Sequence, residues 1–228
     1  FTLTIISVCN AQDNKSLLWC ISGKHMSKPS YLFGTIHLIC PRDYIWTPAM
    51  EKSFRKSDEI CFELDLDNPQ VIVQVATAMM DNSGKTLKDY FTEDQYKKVT
   101  QYLKDSMNLD INILSQMKPI AILTMMTEKT VSCTNPVSYE DKLAASAKSK
   151  KKKIEGLEEV QEQIDLLDDI PADTVVKEVL DALQNNGDDR AEYQNMVNFY
   201  KKQDLESLYA LIKKSKDLGD DMNAFSEA

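Results

Sequence analysis

The stretch from Ser30 to Cys40 (SYLFGTIHLIC) constrains the fold of this chain more than any other. It is rich in aromatic and β-branched residues and lies between Pro29 and Pro41, which is typical of a buried strand. His37 is unusual in this stretch, because it places a titratable ring inside an apolar run. Gly34, three positions earlier, often marks a place where another group approaches the backbone closely. The stretch therefore predicts a buried strand that carries an imidazole.

A second alternating segment runs from Asp58 to Leu66 (DEICFELDL). Every second residue is apolar, which predicts a strand with one buried face and with Glu63 on the other face. The crossover from Cys40 to Asp58 has room for one helix, as a parallel β-α-β unit requires. We therefore expect this strand to lie parallel to the strand of His37. The alternative is that Glu63 lies on the solvated face of a sheet edge.

The rest of the sequence is mostly helical in pattern. Thr47-Pro48 and Asn68-Pro69 are typical helix starts, and Thr92 to Gln95 form a capping box. Later helices are expected to break near Asn186-Gly187 and Gln203-Asp204. We expect an α/β fold in which a small, mostly parallel or mixed sheet is covered by helices, with a large helical portion beside it. Its strands are expected near residues 17–22, 30–39, 58–66 and 152–157, the first two as an antiparallel hairpin.

Residues 1–11 resemble the end of a secretory signal peptide. FTLTIISV is apolar and uncharged, and Cys9, Asn10 and Ala11 are suited to a signal-peptidase site. Cleavage there would leave residues 12–228 as one domain, exported to the periplasm or the extracellular space. An ordinary first strand is the alternative. The sequence ends at Ala228 just after a predicted helix start, so we expect a C-terminal truncation.

Charge and cysteine content narrow the function. The net charge of −9 opposes nucleic-acid binding, since phosphate contacts need clustered Lys and Arg, and no apolar run is long enough to span a bilayer. We expect a peptide or small-molecule substrate as partner and leave a homodimer open. The cysteines that would remain after cleavage can pair in three ways, which sequence does not distinguish. They are Cys20, Cys40, Cys61 and Cys133.

Imidazole and carboxylate side chains on neighbouring strands are candidate ligands for a divalent ion such as Zn, Mn or Co. His37 and Glu63 are therefore our candidate metal ligands and candidate catalytic residues. Two ligands do not make a catalytic centre, since a third protein ligand and an open position for water are needed. The sequence contains no Gly-rich phosphate loop, His-Glu-x-x-His helix or Gly-x-Ser-x-Gly elbow.

Four motifs occur in a recognisable order. They are Leu18-Trp19, Tyr31 to His37 (YLFGTIH), Phe62 to Asp65 (FELD), and Gly156-Leu157-Glu158 followed by Gln161 and Gln163. In this order they resemble the TraB/GumN (PrgY, Tiki-like) family. The resemblance implies a metal-dependent peptidase whose fold is related to the erythromycin esterase and haem-binding ChaN proteins.

The resemblance also assigns roles to residues. It implies that His37 and Glu63 bind the metal and act in catalysis. The residues it places in supporting positions are Gly34, Thr35, Asp65 and Glu158. The family's second Gly-x-x-His motif has no counterpart here, because the sequence holds only two histidines, His25 and His37. A complete site would need that motif beyond Ala228.

The sequence thus favours an exported metal-dependent hydrolase, and among hydrolases a peptidase. The alternative is a non-enzymatic protein of the same fold that binds a peptide or a haem-like ligand. In a third interpretation His37 is a satisfied core histidine and the acidic helical surface carries the function. Fold resemblance alone does not choose among these three.

Overall fold

The computed structural model describes residues 15–65 and 67–214, so the expected signal segment, Leu66 and the last residues lie outside it. The strands are β1 (Leu18–Ile21), β2 (Ser30–Phe33), β3 (Glu59–Phe62) and β4 (Lys153–Gly156). The α-helices are α1 (Pro48–Lys56), α2 (Pro69–Ala78), α3 (Glu93–Met107), α4 (Pro119–Glu128), α5 (Tyr139–Ser149), α6 (Val160–Asp168), α7 (Ala172–Lys201) and α8 (Leu205–Lys214). Short 3-10 turns span Leu87–Tyr90 and Ile111–Leu114. This composition confirms the predicted α/β class with short strands and a large helical portion.

The described residues form two compact units, and the first contains residues 15–34 and 194–214. In this unit β1 and β2 pair antiparallel, with Leu18 opposite Phe33. The predicted hairpin is therefore confirmed. The last turns of α7 and the whole of α8 belong to the same unit.

The second unit, residues 35–193, contains the other two strands. Here β3 pairs with β4 in parallel, with Glu59 opposite Lys153. The prediction of a single sheet is wrong, because the strands within residues 15–65 and 67–214 form two separate two-stranded sheets. The expected pairing of β3 with the strand of His37 is also wrong. The segment after β2 instead uses its backbone in an isolated antiparallel bridge, in which Ile39 and Val137 exchange hydrogen bonds of 2.9 and 2.8 Å.

Local capping signals gave the helix starts correctly. The Thr47 hydroxyl accepts a hydrogen bond from the Met50 amide at 3.3 Å, with Pro48 in the first turn. The Asn68 side chain accepts one from Gln70 N at 3.0 Å, ahead of α2. The capping box at the start of α3 is also present. Each of these contacts satisfies an amide that the helix itself leaves unpaired, which is why short motifs suffice to locate them.

The predicted breaks in the C-terminal helices had different outcomes. The break near Gln203 is confirmed, since Gln203 has a φ of 55° and α8 begins two residues later. The break at Asn186-Gly187 is wrong, because α7 continues through both residues. Asn and Gly each lower helix propensity by about 1 kcal/mol or less, which the packing of a long helix can offset. Val179 on α7 is fully buried and contributes to that packing.

The main core of the second unit lies between α3, α4, α7 and the two 3-10 turns. Its buried members are Leu87, Phe91, Val99, Leu103, Ile111, Leu114, Ile122, Met126 and Val179. Burying about nine such side chains provides the largest favourable contribution to folding of this unit. Within residues 15–65 and 67–214, no helix combines the length and apolarity needed to cross a membrane.

Asp81 is a buried carboxylate just after α2, only 7% exposed. One of its oxygens accepts hydrogen bonds from Ser83 N at 2.8 Å and from the Ser83 hydroxyl at 2.6 Å, and the other accepts one from the Tyr90 hydroxyl. Burial by itself would raise the pKa of Asp81, but these hydrogen bonds and the charge of Lys118 outweigh it and hold the pKa below its ordinary value. The ionised form of Asp81 therefore stabilises the folded state.

Replacing Asp81 by Asn should lower the free energy of unfolding by about 2 kcal/mol at neutral pH, the usual contribution of hydrogen bonds to a charged group. Because the folded pKa is the lower one, this stabilisation is present above the ordinary pKa of 3.8 and is lost as pH falls through the folded pKa. Urea unfolding at pH 7 and in acid measures the difference. The exposed Glu192→Gln variant is the control, and a difference between wild type and Asp81→Asn that persists undiminished in acid would contradict the assignment.

Candidate functional site

His37 lies in the loop that follows β2 and not in a strand. The strand ends at Phe33, and the backbone hydrogen bonds of the next residues go elsewhere, including the Leu38 carbonyl, which accepts from the Tyr193 hydroxyl at 2.8 Å. The His37 side chain is 78% exposed. The predicted strand is therefore wrong beyond Phe33, and the part that forms, β2, is exposed or half-buried and not buried as expected. The interpretation of His37 as a core histidine is also wrong. An exposed imidazole is accessible to a ligand.

Glu140 is the closest charged partner of His37. It occupies the first turn of α5, and its Oε1 lies 3.5 Å from His37 Nδ1. The same oxygen accepts a hydrogen bond from the Thr35 hydroxyl at 2.6 Å, and Oε2 accepts one from the Ser138 hydroxyl at 2.9 Å. The Glu140 side chain is only 18% exposed. The carboxylate is thus fixed by three partners, and it in turn orients the imidazole.

The electrostatics of this pair favour charged forms. Burial would raise the pKa of Glu140, but the hydrogen bonds from His37, Thr35 and Ser138 outweigh it and lower the pKa to about 2. The contact with Glu140 raises the pKa of His37 against the opposing effect of burial, and the charges of Glu140 and Glu63 raise it further. Glu63 therefore acts on the imidazole through its charge, although it makes no hydrogen bond with it among the described contacts.

Glu63 and Glu158 follow the carboxyl ends of the two parallel strands. The Glu158 amide donates to the Glu63 carbonyl at 2.9 Å, so the two backbones lie side by side just past β3 and β4. Both side chains are exposed, and the Gln163 side-chain amide donates to Glu158 Oε2 at 2.9 Å. Ligands of α/β proteins commonly bind outside the carboxyl ends of parallel strands. The candidate site consists of this edge and the His37–Glu140 pair. The charge of Glu63 acts on His37, and His37 contacts Glu140.

Gly156 allows these backbones to come together. A Cβ at this position would lie 2.6 Å from the Asp65 amide nitrogen and 3.1 Å from the Leu64 carbonyl carbon. Real Cβ atoms do not approach backbone atoms so closely, so only glycine fits here. Asp65 contributes mainly to the turn, since its side chain accepts from the Asp67 amide at 3.1 Å.

Gly34 lies in the first unit. Its amide donates to the Leu17 carbonyl at 2.9 Å, and its carbonyl accepts from the Tyr200 hydroxyl at 3.0 Å. Among the predicted site residues, the second unit brings together His37, Thr35, Glu63 and Glu158. The supporting roles predicted for Gly34 and Asp65 remain predictions.

Comparison with protein families gives one match, to the TraB/PrgY/gumN family, and it extends over residues 17–228. The chain belongs to this family. Curated relatives include Metalloprotease TIKI2 of Danio rerio, 32% identical over 93 residues, which is 40% of this chain and 18% of that protein. Metalloprotease TIKI1 of Homo sapiens is 34% identical over 90 residues, which is 39% of this chain and 17% of that protein. The matched segments therefore span less than a fifth of these relatives. No solved structure matches the chain significantly.

The donor set of this TraB-family chain fits a metal ion only in part. A carboxylate on one ring nitrogen is the usual arrangement of a metal-binding histidine, and it leaves the other nitrogen for the ion. The Glu140–His37 pair has this form. However, no three His, Cys, Asp or Glu side chains converge anywhere in residues 15–65 and 67–214. A complete coordination shell would need further ligands outside this group.

Sequence reasoning missed Glu140, the residue that holds His37. The stretch from Ser138 to Asp141 has the pattern of an ordinary helix start, and the Ser138 hydroxyl caps α5 by accepting a hydrogen bond from Asp141 N at 3.1 Å. Acidic residues in a first helical turn are common because they interact favourably with the helix dipole. The signal for a site is therefore hidden by an ordinary structural pattern. The 105-residue separation between Thr35 and Glu140 removes any local clue.

Proposed function

We propose that this chain is part of an exported hydrolase, of the peptidase type, that uses a divalent metal ion such as Zn, Mn or Co. The observation that carries the proposal is the exposed His37 imidazole, which Glu140 holds and on which the charge of Glu63, just past β3, also acts. Membership of the TraB/PrgY/gumN family and the relatives named as metalloproteases support it. His37 and Glu63 are proposed as metal ligands and catalytic residues.

The residues of this chain have distinct parts in the proposed mechanism. Glu140 stays ionised down to low pH and engages Nδ1 of the His37 ring, which leaves Nε2 for a ligand. Thr35 and Ser138 keep Glu140 in place through their hydroxyls. The Glu63 carboxylate adds negative charge and is the group proposed to accept a proton from a water molecule. A bound ion would supply polarisation of the scissile carbonyl and a lower pKa for that water.

The proposed location outside the cytoplasm, in the periplasm or the extracellular space, is supported by a disulfide. Cys40 and Cys133 are joined by one, whereas Cys20 and Cys61 are free and exposed. Structural disulfides persist mainly in oxidising compartments. The four cysteines of the expected mature chain could form two disulfides, and the described residues contain one of them, Cys40–Cys133.

The activity is tested by incubating the intact protein with a peptide library and identifying products by mass spectrometry. Replacing His37 by Ala should lower kcat/KM by about 100-fold, the usual contribution of a positioned acid, base or ligand histidine. His25→Ala is the matched control, because His25 is an exposed histidine of the β1–β2 loop in the other unit.

Equal activity in wild type, His37→Ala and His25→Ala would contradict the assignment of His37. Saturable peptide or haem binding without any turnover would instead favour the ligand-binding alternative. That alternative uses the same exposed imidazole as a ligand contact and not as part of a catalytic centre.

A further inference from the structure

A groove lies alongside α1 and α5 and has no role in the site described above. Its volume is about 480 Å³, which is within the range of sites that hold small ligands or several side chains. We call it the α1–α5 groove and define it by Tyr44, Trp46 and Phe54 on one side and Lys142, Ser146 and Lys150 on the other. All of these residues belong to the second unit.

The aromatic side of the α1–α5 groove is held in place by its own contacts. The Trp46 and Phe54 rings meet edge to face with centroids 6.2 Å apart, and the Trp46 indole N–H donates to Glu51 Oε2 at 2.9 Å. Tyr44 stacks on the buried ring of Tyr139 at 4.3 Å. The Tyr44 and Trp46 rings are partly buried, and the Phe54 ring behind them is buried. They form a preorganised apolar wall that a ligand need not reshape.

The other side of the groove is positively charged. The Lys142 ammonium lies 4.5 Å from the centre of the Tyr44 ring, and Lys150 is exposed at the far end of α5. An adjoining hollow of about 450 Å³ shares Glu51 with the groove. Its cations are Lys52, Arg55 and Lys56.

Among the described residues, Glu51 is the one carboxylate that lines these two hollows, and the Trp46 indole N–H donates a hydrogen bond to it. Five cations line the two hollows, and none of them forms an ion pair with a carboxylate of residues 15–65 and 67–214. They are Lys52, Arg55, Lys56, Lys142 and Lys150. The whole chain carries a net charge of −9. A concentrated positive surface on an acidic protein favours an anionic partner.

We propose that the α1–α5 groove binds an acidic peptide segment, with a carboxylate between Lys142 and Lys150 and an apolar side chain against Trp46. The lining residues from Lys142 on α5 to Lys150 just after it span about 12 Å at 1.5 Å per residue. That length accommodates roughly three to four residues of extended peptide, so a segment fits better than a single small molecule. Because Glu140 lies on the same helix, the groove defines a substrate class for the proposed peptidase and rests on that proposal.

Trp46 reports binding directly. The chain has two tryptophans, so a Trp19→Phe background leaves the Trp46 fluorescence alone. The probes are end-blocked Glu-Phe-Glu-Glu, its counterpart Lys-Phe-Lys-Lys, and free phenylacetate. The acidic peptide should change the fluorescence saturably and bind more weakly as salt is added, because exposed charges are screened. Adding Lys142→Gln and Lys150→Gln together should weaken its binding by about tenfold.

A matched pair of lysines provides the control. Lys97 and Lys98 are exposed on α3, and Lys97→Gln with Lys98→Gln should leave the affinity unchanged. If circular dichroism shows that the Lys142 and Lys150 variant is unfolded, Arg55→Gln with Lys56→Gln removes positive charge from the adjoining hollow. This variant should also weaken binding of the acidic peptide, because the hollow adds to the positive field at the groove.

Three results would overturn the proposal. They are no saturable signal with the acidic peptide, equal binding of the lysine peptide, and binding of phenylacetate as tight as that of the acidic peptide. The measurement involves no turnover, so it is separable from the proposed activity. If peptides are still cleaved after groove binding is lost, only the proposed role of the groove is overturned. If the groove binds peptide but no cleavage occurs, the proposed peptidase activity is overturned.

Discussion

Replacing both Cys40 and Cys133 by Ser is expected to lower the free energy of unfolding by about 4 kcal/mol in oxidising buffer. The disulfide joins residues 93 positions apart, so it removes much of the conformational freedom of the unfolded chain. The disulfide also lies beside the β-bridge between Ile39 and Val137. It therefore holds the loop that carries His37 close to the start of α5, where Glu140 lies. Urea unfolding followed by circular dichroism measures the loss.

The two exposed thiols provide the control for this variant. Cys20→Ser with Cys61→Ser should change the free energy of unfolding by less than about 0.5 kcal/mol, as is usual for surface substitutions. Adding a reductant should bring the wild type to the stability of the variant that lacks Cys40 and Cys133. Identical unfolding curves of wild type and that variant in oxidising buffer would show that the disulfide does not contribute.

Gly156→Ala is expected to lower the free energy of unfolding by about 3 kcal/mol, at the upper end of the range for overpacking. The new Cβ would lie 2.6 Å from the Asp65 amide nitrogen, which is a backbone atom and has no rotamer that could relieve the contact. β4 and the turn after β3 would have to separate, and this would move Glu63 away from Glu158. Urea unfolding measures the stability, and peptide cleavage by the folded fraction measures the effect on the site.

Gly187→Ala is the matched control, and it is expected to raise the free energy of unfolding where Gly156→Ala lowers it. Gly187 lies inside α7, and no atom comes within 4 Å of a Cβ built there. Alanine should stabilise this helix by about 1 kcal/mol. A Gly156→Ala variant as stable as the wild type would mean that the backbones of β4 and the Asp65 turn do not meet as described.

What the sequence predicted correctly was local. The Thr47 and Asn68 caps and the capping box at the start of α3 depend on residues two or three positions apart. The β1–β2 hairpin pairs residues only 9 (Ile21 and Ser30) to 15 (Leu18 and Phe33) positions apart. Such contacts involve little loop-closure entropy and few competing partners, so short motifs specify them. The family resemblance, which rests on other short motifs such as the one from Tyr31 to His37, is confirmed as well.

What the sequence did not predict was non-local. β3 pairs with β4, about 90 residues away, and the run that contains His37 forms only a four-residue strand, Ser30–Phe33. An apolar run of this kind is equally compatible with a strand and with a buried loop, and only its partners decide. Glu140 reaches His37 through the same long-range folding, although nothing in its local sequence distinguishes it from a helix-start carboxylate.

The central claim is that His37 and Glu63 belong to a metal-dependent catalytic centre. Its most direct test is elemental analysis and calorimetric metal titration of the intact protein, purified without chelators, beside His37→Ala, Glu63→Gln and His25→Ala. The account predicts stoichiometric divalent metal in the wild type and His25→Ala, with affinity lower by at least about tenfold in the other two variants. The claim would be contradicted if the folded, metal-free protein cleaved peptides and chelators did not inhibit that cleavage.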